Sequence, residues 1–368
     1  MFGWTAVVLL AATAIAPPPS SPPSLPPPPP PPPPEQLLQI PPALHALVQQ
    51  RVNPHASREQ RLEQLVQLAF DADGLNLQYD TKATHSVAES YATRRVNCLS
   101  FTLLFVALAR DAGVEAQVQE VGRVLSWYED GDALYNAGHV NVGVRIDGRQ
   151  VSIDLDRSVL MERRGPRLIS DRRALAHYYN NRGAELMADG ALPAAQQYLA
   201  MALQMDRGFV AAWNNLGVLA LRQGDTQGAK EDYANALAIE PGHVATLSNA
   251  AALYRRLGDR RHEAAMLDRL QRAQLTDPFH QYLLGNEAER RQDYPAAIGY
   301  YRHALRLYDS AHLLYFALAR AYLLNGDPRR ANWALQQALA HADSSAQPRY
   351  QAKLDALRRL SHNPQARR

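Results

Sequence analysis

Residues 210–243 read VAAWNNLGVLALRQGDTQGAKEDYANALAIEPGH. Apolar and small residues return every three or four positions in two runs. Gln223-Gly224-Asp225 divides the runs and Pro241-Gly242 closes the second. That pattern describes two amphipathic helices joined by a tight turn. The same pattern recurs on either side. Gly190, Gly224, Gly258 and Gly326 are separated by 34, 34 and 68 residues, and Gln292 fills the intervening place. Three further series keep this period: Gly183, Gly217, Ala251, Gly285, Ala319; Ala202, Ala236, Leu270, Ala304, Ala338; and Leu199, Tyr233, Leu267, Tyr301, Leu335. Small residues let two helices approach closely, and the large ones fill the space beside them.

Trp213, Leu216, Gly217, Ala229, Tyr233, Ala236 and Pro241 stand at spacings that resemble the tetratricopeptide repeat family. The resemblance covers about half the chain, in five units starting near residues 176, 210, 244, 278 and 312. The unit at 244 is irregular, with Glu263 in place of a small residue and Leu270 in place of an alanine. Residues 346–361 carry Tyr350, Leu354, Leu357 and Leu360 at helical spacing and are expected to cap the open end of the array. The resemblance implies an all-α solenoid over 176–345 that binds a peptide or protein on its concave face. By repeat position Asn180, Asn214, Ser248, Tyr282 and Phe316 are expected to line that face, with Asn181, Asn215 and Asn249 nearby.

The first half is built differently. A tract of proline and serine runs from Pro17 to Pro34 and ends in nine consecutive prolines. It predicts an extended polyproline II spacer reaching about 55 Å. Before it, Trp4 to Ala16 is apolar but shorter than the roughly 20 residues needed to cross a bilayer. Ala14-Ile15-Ala16 has the form of a cleavage site, so residues 1–16 are expected to be a signal peptide or membrane anchor. The protein is then exported, periplasmic or membrane-anchored.

Residues 35–72 read as two short helices. The stretch from Cys98 to Gly113, CLSFTLLFVALARDAG, is apolar on nearly every side and predicts a buried central helix. Asn97 is a favoured N-cap and Gly113 a favoured stop. Cys98, the chain's single cysteine, therefore falls in the first turn. A sulfur there meets unpaired N–H groups that favour negative charge. Strands follow at VEAQVQEV, HVNVGVRI and RQVSIDLD, the last two joined by the hairpin dipeptide Asp147-Gly148. In such a hairpin, residues pair when their numbers sum to 295. His139 is then opposite Asp156, diagonal to Asp154, and on the same face as both. An imidazole backed by a carboxylate is a base with its orienter. This pairing alone does not choose between the two aspartates.

The order of helix cysteine, strand histidine and next-strand aspartate resembles the transglutaminase-like superfamily of papain-like cysteine enzymes. The likeness runs over roughly residues 80–165, in an α+β domain expected over 35–170. It implies Cys98 as nucleophile, His139 as base and Asp154 as orienter. The Cys98 backbone N–H is one oxyanion donor, with Asn97 and Tyr91 as candidates for a second. The function expected is thiol acyl transfer on peptide amide bonds, with water as the default acceptor. The alternative is a non-catalytic interaction scaffold with a vestigial papain-like domain.

Other chemistry finds no support. With one cysteine no intramolecular disulfide forms, and no metal-ligand spacing, phosphate loop or serine-nucleophile motif occurs, so no cofactor or metal is expected. The net charge of +3, without a basic stripe, argues against nucleic acid. Residues 362–368 read as a tail.

Overall fold

The computed structural model describes residues 29–121, 129–130, 133–134, 139–155, 166–342 and 347–362. The expectations for residues 1–16 and most of the proline tract fall outside these residues, as does Asp156. At the end of the proline tract Pro33 is extended, with φ −66° and ψ 150°. Pro32 O accepts a 2.6 Å hydrogen bond from the Tyr179 hydroxyl, which ties the end of the proline tract to the body of the protein.

Three helices lead into the first unit: α1 (Pro34–Leu37), α2 (Pro42–Arg51) and α3 (Arg58–Phe70). Then come β1 (Gln78–Tyr79), α4 (Val87–Thr93), β2 (Arg95–Val96) and α5 (Cys98–Asp111). They are followed by β3 (Ala116–Val121), β4 (Glu129–Asp130), β5 (Ala133–Leu134), β6 (His139–Ile146), β7 (Arg149–Ile153) and β8 (Arg167–Leu168). The main sheet has the order β7-β6-β3-β8 with antiparallel neighbours throughout.

Helix α5 is apolar on all sides because it is covered on all sides. Every residue from Leu99 to Ala109 is buried. Leu44 and Val48 of α2, Leu65 and Leu68 of α3, and Val140, Val142 and Val144 of β6 share its core. Its start is fixed by Asn97, whose side chain accepts from the Ser100 N–H at 2.9 Å. Its end is fixed by Gly113 at φ +70°, with the Val114 N–H turning back to Ala109 O at 2.8 Å.

The second half is a stack of helical pairs. They are α6 (Asp171–Ala188) with α7 (Leu192–Met205), α8 (Val210–Arg222) with α9 (Thr226–Ile239), and α10 (Val244–Arg256) with α11 (Arg260–Leu275). The last pairs are α12 (Pro278–Arg290) with α13 (Tyr294–Leu307), and α14 (His312–Leu324) with α15 (Pro328–His341). A single helix, α16 (Gln347–His362), follows. It buries Tyr350 and Leu354 against the last pair, and the Tyr350 hydroxyl bonds His312 Nδ1 at 2.7 Å. Helix α6 begins at Asp171, earlier than the repeat spacing predicts. Ser170 caps it, and its early residues Ala174 and Leu175 join the core of α5. One apolar cluster thus runs from Leu37 through α5 and the sheet to Tyr179, Ala202 and Ala212. A separate cluster extends from Phe279 to Leu354. Helix α11, between them, buries only Glu263.

Candidate functional site

The hairpin places the site. Asp147 and Gly148 have φ +48° and +79°, the conformation of a two-residue turn that suits twisted strands. The observed partners, Ile146 with Arg149 and Val142 with Ile153, sum to 295. His139 opens β6, and Asp154 is the first residue beyond β7. His139 Nε2 and Asp154 Oδ2 are 2.6 Å apart, with the side chains only 5% and 11% exposed. A carboxylate only accepts, so Nε2 carries the proton. Nδ1 is left free of the aspartate, and Cys98 lies near enough to favour the protonated ring. Burial disfavours the imidazolium, but Asp154 and Cys98 outweigh it and push His139 up to about 9. Cys98 is half-buried rather than sealed among aliphatic groups. Its helix turn is fastened from below, where the Thr102 hydroxyl donates to Cys98 O at 2.7 Å.

The structure therefore brings Cys98, His139 and Asp154 together. Asn97, adjacent in sequence, has another role. It is 6% exposed, its oxygen caps α5, and its nitrogen donates to Thr84 Oγ1 at 2.9 Å. One of its two amide N–H groups is thereby engaged, and the side chain is held as the cap of α5. The Tyr91 ring packs under the Arg94 guanidinium, 4.6 Å from its centroid. No hydrogen bond links it to Cys98 among the described residues.

The array residues also need correction. Asn180 and Asn214 are each 7% exposed and are spent between helices rather than offered to a peptide. Asn215 Nδ2 donates to Asn180 Oδ1 at 2.9 Å, and Asn249 Nδ2 to Asn214 Oδ1 at 3.0 Å. Thr246 also donates to Asn214 Oδ1, at 3.2 Å. Neighbouring first helices lie side by side, so an asparagine of one repeat meets the one 35 residues on. Ser248 is exposed, and Tyr282 and Phe316 are half-buried. Tyr282 packs on Tyr301, and Phe316 on Tyr350 with the Lys353 ammonium 5.2 Å from its ring.

Two groups escape the sequence reading. Asn141 Nδ2 donates to Asp154 Oδ2 at 3.1 Å. Its signal was available, since 141 and 154 also sum to 295. Glu120 of β3 binds Arg173 at 2.6 Å, Arg167 at 2.7 Å and His177 at 2.8 Å. Burial pushes its carboxyl up, but the bonds from His177, Arg173 and Arg167 prevail and hold it well below the usual carboxylate range. Nothing local in the sequence marks that cluster.

The tetratricopeptide repeat family model matches residues 210–243, and this part of the chain is a repeat region of that kind. Among solved structures, the chain is similar to one in the hetero-tetramer Cut9-Hcn1 of the APC/C (19% identity, TM-score 0.29, covering 52% of this chain and 38% of that one). It is similar to YrrB, described as a TPR protein with an unusual peptide-binding site (15% identity, TM-score 0.26, 49% and 92%). It is similar to pilF of Pseudomonas aeruginosa (16% identity, TM-score 0.28, 52% and 93%). No curated protein matches the chain. The repeat region makes protein interaction the supported class of function, the alternative in the sequence reading rather than its main one. The family match does not extend to residues 80–165, where the transglutaminase-like likeness rests on the residues quoted above.

Proposed function

We propose that this chain is a protein-interaction scaffold whose repeats hold a peptide or protein partner. The matched repeat at 210–243 carries this reading. With Asn180 and Asn214 engaged internally, the side chains left to meet a partner are Ser248, Tyr282 and Phe316. Panning a displayed peptide library against the whole chain should enrich binders that the double variant Tyr282→Ala, Phe316→Ala releases. Unchanged retention by the variant would exclude that face.

A second reading is favoured by one observation, the union of Cys98 with the His139–Asp154 pair at 2.6 Å. In this reading the thiol proton already resides on His139, and the thiolate left on Cys98 attacks an amide carbonyl. The Cys98 N–H receives the oxyanion. The imidazolium then protonates the leaving amine, and water releases the acyl group. Iodoacetamide tests the first step. Cys98 of the folded wild type should alkylate faster at neutral pH than in His139→Ala. Equal rates would remove the thiol chemistry and leave the scaffold alone.

A further inference from the structure

His139, Asn141 and Gly143 alternate along β6 with Val140, Val142 and Val144, so they share one face of the strand. Asp154 lies just past the last residue of β7, where the strand ladder no longer fixes it. Its carboxylate is nevertheless aimed at His139. We propose that Asn141 is a positioning residue of this site, fixing Asp154 against His139 by donating to the same oxygen that accepts the imidazole N–H. The proposal rests on the thiol reading above and deepens it.

Three observations carry it. Asn141 Nδ2 is 3.1 Å from Asp154 Oδ2, and a carboxylate can only accept, so the amide must turn its nitrogen to the aspartate. Asn141 is 1% exposed, and its Oδ1 finds no partner among the described residues. Gln119, directly across the ladder, likewise leaves Nε2 unpartnered while its Oε1 accepts from Ser152 at 3.0 Å. A buried, unpaired amide oxygen opposes folding. An apolar side chain would fill the place at lower cost, so the contribution of Asn141 to the fold does not account for its chemistry. Its hold on Asp154 does. Among the described residues Cys98 of α5 also acts on His139, so orientation of the aspartate decides how the ring nitrogens are shared.

The test uses the whole chain carrying Asn141→Leu, with Asn141→Ser as a smaller substitute if the leucine variant fails to fold. Three quantities are read: the melting temperature, the His139 ring titration by NMR (assigned with His139→Gln), and the Cys98 alkylation rate. The variant should melt no lower than wild type. The His139 midpoint should fall from about 9 toward the ordinary histidine value. Alkylation should slow by roughly tenfold, the scale of a lost orienting partner. A midpoint that stays or rises, or an unchanged rate, overturns the proposal. So does a loss that merely tracks a lower melting temperature. If His139→Ala itself leaves alkylation unchanged, the thiol reading has failed. If His139→Ala slows it and Asn141→Leu does not, only the positioning role is lost.

Discussion

His139 gains a carboxylate on folding, and this ties stability to pH. Its folded midpoint of about 9 lies above its unperturbed value of 6.5. The contribution is complete below 6.5 and is lost as pH rises through about 9, because the native chain keeps a proton that the unfolded chain has released. Wild-type melting temperature should therefore decline across that window, and His139→Gln should show a flatter curve. Parallel curves would count against a buried imidazolium. The pair was legible because a two-residue turn sets the register without any tertiary information. The choice between Asp154 and Asp156 needed the family pattern, since a diagonal and a direct neighbour lie on one face. The role of Asn97 is not set by the sequence, for a physical reason. The residue before a helical cysteine suits an oxyanion site and an N-cap equally, and only coordinates show which bond it makes.

Among helices and turns, the 34-residue glycine series has a conformational cause. Gly190, Gly224, Gly258 and Gly326 have φ between +73° and +84°. Gln292 occupies the same turn at φ +61°, where a side chain crowds the backbone. Gln292→Gly should raise stability by up to about 1 kcal/mol, read as a higher denaturation midpoint at unchanged slope. A lower midpoint would show that the glutamine side chain contributes more than the strain costs. The small-residue series is legible in finer detail. A Cβ on Gly217 would lie 2.5 Å from the Tyr233 ring, and one on Gly285 would lie 2.3 Å from Tyr301. Leucine can take the same place, since a Cβ on Gly183 would lie 2.8 Å from the Leu199 side chain. The irregular third unit was also visible in advance. Glu263 is buried and held by Arg255 at 2.6 Å, while Leu267 is 40% exposed.

For the molecule as a whole, sequence periodicity separated two halves that the structure joins. Period 34 stops near residue 176, yet the first core runs on into α6 and α7. The polar part of this junction is Glu120 of β3, gathered by Arg173 and His177 of α6, with Arg173 also reaching Asp206 at 2.7 Å. The contacts of Glu120 with α6 span more than fifty positions of sequence and leave no local pattern. Glu120→Ala removes the carboxylate shared by Arg173 and His177 and leaves Arg173 with Asp206 alone, so it should cost about 1–3 kcal/mol. Calorimetry should show a lower and broader transition, as the first unit and the array cease to melt together. A single sharp transition at the wild-type temperature would mean that the apolar seam suffices by itself.

The thin packing of α11 has a mechanical consequence. A solenoid resists bending where side chains interlock and yields where they do not. Residues 260–275, with Glu263 as their one buried side chain, would be the softest joint, between a block fused to the thiol-bearing unit and a second block closed by α16. A short peptide gripped by the far block alone would swing relative to Cys98. A longer one lying across the joint would splint it and hold its own length at a set distance from the sulfur, so the array would act as a ruler.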